Sequence, residues 1–141
     1  MKKLLIVLCA LAFISASFFT SCKKYEDGPA ISLRTKKARL QGDWQLESFS
    51  INEVDQTAAA TTQYGSNFTW DIEKDGGYKM TGTYTDDGTW KFGEDKDDVY
   101  FQSSKTGAGE QAYRILRLAN KELWLKQVQA NGDVKKWKLK Q

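Results

Sequence analysis

The chain contains no histidine. That gap removes the commonest general base, the commonest metal ligand and the side chain that titrates nearest physiological pH. Cysteine is almost as scarce. Cys9 and Cys22 both lie in the first 22 residues, so the rest of the chain holds no disulfide, no thiolate nucleophile and no thiolate zinc site. There is one proline, and the turns beyond it must be marked by Gly, Asn and Asp. A concentrated basic patch is also missing from the body of the chain. Residues 22–39 carry six basic and two acidic side chains, whereas residues 40–141 mix thirteen basic with sixteen acidic ones, which argues against a nucleic-acid surface. No stretch repeats another, so neither a propeller nor a solenoid is supported.

What is present begins with Lys2 and Lys3, an apolar run over 4–19 broken only by Ser15 and Ser17, and then Thr20-Ser21-Cys22. This is the pattern of a secretory signal, and the run is short for a membrane span of ~20 residues. Small residues directly before a cysteine resemble the lipobox of bacterial lipoproteins, here with Phe19 in place of the usual leucine. The resemblance implies cleavage before Cys22 and acylation of Cys22, which makes the lipid bilayer a partner; several acyl chains anchor stably where one does not. The polar stretch 22–29 is similar to the tether of Bacteroidetes lipoproteins and implies the outer membrane, with periplasmic and surface faces both open. The chain divides into a signal at 1–21, a basic tether with a short helix at 22–39, and one domain at 40–141. In the tether, Ser32 is the expected N-cap and Gly42 the stop. Lys36, Lys37 and Arg39 read as a solvated face.

From residue 40 onward the rhythm is strand, turn, strand. Trp44 and Leu46 share a face that Phe49 and Ile51 rejoin only through a bulge near Ser48. Phe68, Trp70 and Ile72 alternate with polar residues up to the hairpin signal Asp75-Gly76-Gly77. Tyr78, Met80, Gly82 and Tyr84 form the inward set of the next strand, and Asp86-Asp87-Gly88 reads as the turn into a strand with Trp90 and Phe92 inward. Val99 and Phe101 follow, then Tyr113 and Ile115, which reach Leu118 only across a second bulge. Leu123 and Leu125, an Asn131-Gly132 turn, and Trp137 with Leu139 complete eight strands with hairpin-length links. Closing such a meander removes its edges. The expected fold is all-β: a small eight-stranded antiparallel up-and-down barrel, with a short helical turn before its first strand.

Gly42-Asp43-Trp44 matches the Gly-x-Trp that opens the first strand of lipocalins, and with the long connection at 52–66 and the run from Tyr113 to the Asn-Gly hairpin, residues 40–141 resemble the lipocalin-like domains of Bacteroidetes outer-membrane lipoproteins. The resemblance implies that Gly42 and Trp44 seal a closed end and that the connection at 52–66 lies over an open mouth. That connection, with its Ala-Ala-Ala-Thr-Thr core, reads as a lid with few anchors.

The chemistry this leaves is modest. The acidic run 94–98 lacks the glycine and distal glutamate of a calcium loop and reads as a solvated turn, so no metal site is expected. Asp71 and Glu73 have no placed partner for acid–base work, the Ser and Thr residues have no histidine to activate them, and neither catalysis nor a cofactor is expected. The aromatic set is the notable feature: Phe68, Trp70, Tyr84, Trp90 and Tyr113 are the candidate contacts for a small hydrophobic ligand, with a packed core as the competing reading. An alternative function is non-enzymatic docking or inhibition of an envelope protein, using Trp124, Val128 and the hairpin loops on the outer barrel surface. Because acylation is assigned to Cys22, Cys22→Ser should move the protein from the membrane fraction to the soluble one on fractionation; a variant that still pellets with the outer membrane would disprove the tether.

Overall fold

The computed structural model describes residues 34–141; the signal and the first part of the tether, with Cys22 and Ser32, lie outside the described residues. A short helix α1 (Lys36–Leu40) leads into β1 (Gly42–Ile51), a two-residue β2 (Val54–Asp55) and helix α2 (Thr57–Tyr64). Seven strands follow: β3 (Thr69–Ile72), β4 (Gly77–Thr81), β5 (Asp86–Phe92), β6 (Asp98–Ser103), β7 (Gln111–Leu118), β8 (Glu122–Val128) and β9 (Val134–Lys140). Every pairing is antiparallel: β3 to β9 pair in sequence order, β1 pairs with β3 and with β9 and so closes the sheet into an eight-stranded barrel, and β2 is an extra strand on β1.

β1 serves two neighbours. Its first half pairs with β3, Trp44 opposite Trp70, and its second half pairs with β9, Phe49 opposite Trp137. The expected bulge falls between Leu46 and Ser48 and returns Phe49 to the inner face, where it is buried. The second bulge lies between Ile115 and Arg117 and brings Leu118 inward to full burial. Strands β3, β4, β6, β8 and β9 alternate as the pattern predicts, so that Trp70, Ile72, Tyr78, Phe101, Leu125 and Leu139 all enter one core.

One end of the barrel is sealed. Leu40 and Trp44 are fully buried there, and the Trp44 Nε1–H donates to the Leu40 carbonyl at 2.8 Å. α1 is fastened over this end by contacts to two hairpin turns. Arg34 donates to Asn120 Oδ1 at 2.6 Å, and Lys36 Nζ reaches the carbonyl of Lys96 at 2.8 Å and the carboxylate of Asp97 at 2.9 Å. Arg39 also donates to the Leu118 carbonyl at the end of β7.

These contacts correct three expectations about the leader. Lys36 is buried rather than solvated, because its ammonium has carbonyls and a carboxylate to replace water. The helix is capped by Thr35, whose hydroxyl accepts from the Ala38 N–H. It stops at Gln41, while Gly42, at φ +131°, already opens β1.

Asp86-Asp87-Gly88 is likewise not a turn. These residues pair with β4 and β6, and the chain reverses earlier, over 82–85. Gly82 accounts for the shift: it has φ +141°, and a Cβ there would stand 2.3 Å from the Tyr64 carbonyl oxygen. Gly88 is needed inside the strand for the same reason, its missing Cβ leaving room for the Gln102 carbonyl.

Because Trp44 fills the sealed end completely, Trp44→Ala should cost roughly 3–5 kcal/mol as a large-to-small core change. Thermal or denaturant unfolding measures it, and an unchanged melting temperature would show that the indole is not the plug.

Candidate functional site

The opposite end of the barrel holds a cavity of about 330 Å³. Its floor is made of packed rings: Trp70 tilted against Phe101 at 4.6 Å between centroids, and, edge to face, Phe101 against Tyr78 at 5.2 Å and Tyr113 against Trp137 at 5.4 Å. Offset and edge-on pairs of this kind stabilise by ~0.5–1.5 kcal/mol each beyond their burial. The residues come from inward positions of β3, β4, β6, β7 and β9, so the alternation of the strands builds the floor directly.

Above the floor lies the connection at 52–66, which is neither loose nor poorly anchored. It contains β2 and α2, and the Ala-Ala-Ala run, the best helix-forming stretch of the chain, is the signal that the loop reading passed over. Asp55 Oδ1 accepts from the Thr57 N–H at 2.8 Å and the Thr57 hydroxyl accepts from the Phe49 N–H at 3.0 Å. Ala60 is buried. At the far end, the Tyr64 carbonyl accepts from Thr83 and Tyr84 across the mouth. α2 is therefore a roof tied at both ends, and the Tyr64 ring packs on Phe68 and Tyr84 at 5.2 and 5.7 Å.

Four of the five residues expected to meet a ligand, Phe68, Trp70, Tyr84 and Tyr113, line this cavity. Tyr84 does so from the 82–85 turn rather than from a strand, and its ring is partly exposed. Trp90 does not join them. It is inward but at the sealed end, where its Nε1–H donates to the Glu73 carbonyl at 2.9 Å and Lys37 stands 5.9 Å from its ring centroid. The displacement follows from β5 starting at Asp86: register places Asp86, not Trp90, at the mouth.

Asp86 is the cavity-lining residue that sequence reasoning missed. It is buried, and its carboxylate accepts from the Tyr78 hydroxyl at 2.8 Å and the Ser103 hydroxyl at 2.7 Å, with Lys105 Nζ 3.4 Å away. Burial alone would raise its pKa, but the Ser103 and Tyr78 hydrogen bonds and the Lys105 charge together outweigh it and hold Asp86 below the usual carboxylate value. The phenols move the other way: Tyr113 is raised by burial and then by Tyr64, Tyr84 and Asp86, and Tyr78 by burial and by the bond to Asp86. The mouth thus combines neutral phenols with one ionised carboxylate. Beside them a buried Gln127 donates to Gln111 Oε1 at 2.7 Å.

The other candidates are structural. The acidic turn engages Asp97 with Lys36 and Asp98 with Arg114, and among the described residues no group of three or more His, Cys, Asp or Glu side chains is arranged to hold a metal ion. On the outer wall Trp124 is clamped between Arg117, 5.3 Å from its ring, and Lys138, at 4.2 Å. No protein-family model matches the chain, and no curated protein matches it in sequence.

A carboxyl with a depressed folded pKa adds stability that is complete above its unfolded value, ~3.9, and is lost as pH falls through the folded value. Asp86→Asn should therefore melt below the parent protein at pH 7, by ~1–3 kcal/mol for the lost charge-assisted bonds. The gap should narrow below pH ~4. Parallel melts across pH 2.5–7 test this, and a gap independent of pH would remove the ionised carboxylate from the account.

Proposed function

We propose that this protein is a membrane-anchored, lipocalin-like lipoprotein of the cell envelope whose barrel mouth binds a small, largely apolar molecule. The observation that carries the binding role is the cavity between the aromatic floor and the α2 roof, whose volume of about 330 Å³ lies at the lower end of small-molecule sites, ~300–1,000 Å³. Flat rings offer apolar surface and the phenols and amides offer a few polar handles, the usual division of labour in such sites. The anchor rests on the signal-length run ending at Cys22 and the outer-membrane location on the tether that follows it. The role is binding rather than catalysis, since the chain has no histidine and the single carboxylate lining the cavity is already engaged by two hydroxyls and an ammonium.

Docking of an envelope protein on the outer wall has weaker support. Trp124 is covered by its two cationic neighbours, which leaves Val54 and Val128 as separate exposed side chains rather than a patch.

Titrating fatty acids and other apolar compounds while following tryptophan emission tests the reading. The signal should change, persist in Trp90→Phe, whose indole is at the sealed end, and shrink in Trp70→Phe. Silence towards every apolar class would leave the barrel as a packed core.

A further inference from the structure

The rings lining the cavity present electron-rich faces, and Asp86 is the one carboxylate among them. Such a box favours a cation, most of all where water is displaced. The structure already places one there. Lys105 Nζ stands 4.6 Å from the centroid of the Tyr84 ring and 3.4 Å from Asp86 Oδ1, and it donates to the Thr85 carbonyl. Three kinds of partner for an ammonium, a π face, a carboxylate and a carbonyl, thus converge on one point at the rim of the cavity.

Lys105 itself is poorly suited to stay. Its side chain is 53% exposed, and it sits on the connection from β6 to β7, where Gly107 and Gly109 have open space around them. With its lysine end this open to solvent, the ion pair contributes little of its own, ~0–1 kcal/mol. The cavity behind it also holds unused hydrogen-bonding capacity. The hydroxyls of Tyr64, Tyr84 and Tyr113 have no hydrogen-bond partner among the described residues, while those of Tyr78 and Ser103 are engaged by Asp86. A phenol oxygen can accept from an ammonium as readily as its hydrogen can donate.

We propose that the barrel mouth is a site for an organic ammonium ion with a compact apolar or aromatic body, and that Lys105 is a tethered stand-in for the nitrogen of that ligand. This assignment rests on the cavity being a small-molecule site, and it specifies the charge of what enters. The incoming nitrogen takes the place of Lys105 Nζ between Asp86, the Thr85 carbonyl and the Tyr84 ring, and the apolar body lies on Trp70 and Tyr113. Displaced, Lys105 swings out with its loop. A side chain on a short tether competes at an effective concentration on the order of millimolar, so it weakens the ligand's apparent affinity without abolishing binding.

The experiment compares three probes by calorimetry: 2-phenylethylammonium, the neutral 2-phenylethanol and the anionic 3-phenylpropanoate. Each is titrated into the parent protein, Lys105→Ala and Lys105→Ala/Asp86→Asn, with circular dichroism as the check on folding. Lys105→Ala should bind the ammonium about tenfold or more tighter than the parent, the added Asp86→Asn should cancel the gain, and 2-phenylethanol should bind all three alike. Should Asp86→Asn unfold the protein, Lys105→Ala/Tyr84→Leu supplies the same reading, because it removes the ring beneath the cation from a partly exposed turn. Unchanged ammonium affinity in Lys105→Ala, with 2-phenylethanol still bound, would overturn the ammonium site and leave the cavity reading standing. Binding of 3-phenylpropanoate by the parent and its loss in Lys105→Ala would overturn it by making Lys105 the group that faces the ligand. No binding of any probe to any variant would remove the ammonium site and the cavity reading together.

Discussion

The barrel depends on the pairing of β1 with β9. A meander of eight strands is only a curved sheet until its first and last members meet, and here the first strand must also hold β3 along its other half. Ten residues suffice because the bulge between Leu46 and Ser48 bends β1 where it passes from one neighbour to the next. Without that extra residue, Phe49 and Ile51 would face solvent and Trp137 would lose its partner ring at 4.9 Å. Closure also determines the chemistry available, since eight strands enclose little more than their own side chains.

The two ends resolve this shortage of space differently. At the sealed end the Trp44 indole, fixed by the Leu40 carbonyl, fills the barrel, and α1 is pinned over it by Arg34, Lys36 and Arg39. At the mouth α2 spans the opening from Phe49 on β1 to the 82–85 turn, so the roof is attached to strands that are themselves closed into the barrel. The space left between floor and roof is therefore a consequence of how the rings stack, and the residues that shape it are the same ones that hold the core together.

Much of this was legible in the sequence because a strand's side chains alternate with a period of two, and burial on one face writes that period into the residues. Both bulges could be read, since Phe49 and Leu118 fall out of phase with the residues before them. What could not be read depends on contacts between distant segments. Gly82 turns the chain because the Tyr64 carbonyl, eighteen residues earlier, approaches it; from the sequence alone Asp86-Asp87-Gly88 carries the stronger turn signal. That one misplacement moved β5 relative to its neighbours, which put Trp90 at the mouth on paper and hid Asp86. Lys36 was misread for a similar reason: a lysine in a basic run looks solvated until the carbonyls of a turn some sixty residues away are placed over it.

Asp86 shows how a small barrel accommodates a charge near its core. An isolated carboxylate in such a place would take up a proton or unfold its surroundings. Here Tyr78 and Ser103 reach it from the two strands flanking β5, and Lys105 arrives from the loop that follows β6, so the hydrogen bonds that keep it ionised also join β4, β5 and β6 at the rim. Two of these partners are fixed by the sheet register, Tyr78 opposite Gly88 and Gly88 opposite Ser103. The third comes from a loop and is held by the Thr85 carbonyl and the Tyr84 ring as well as by Asp86. The two hydroxyls engage the carboxylate from both flanking strands, so the charge at the rim is built into the sheet and does not rest on the loop alone.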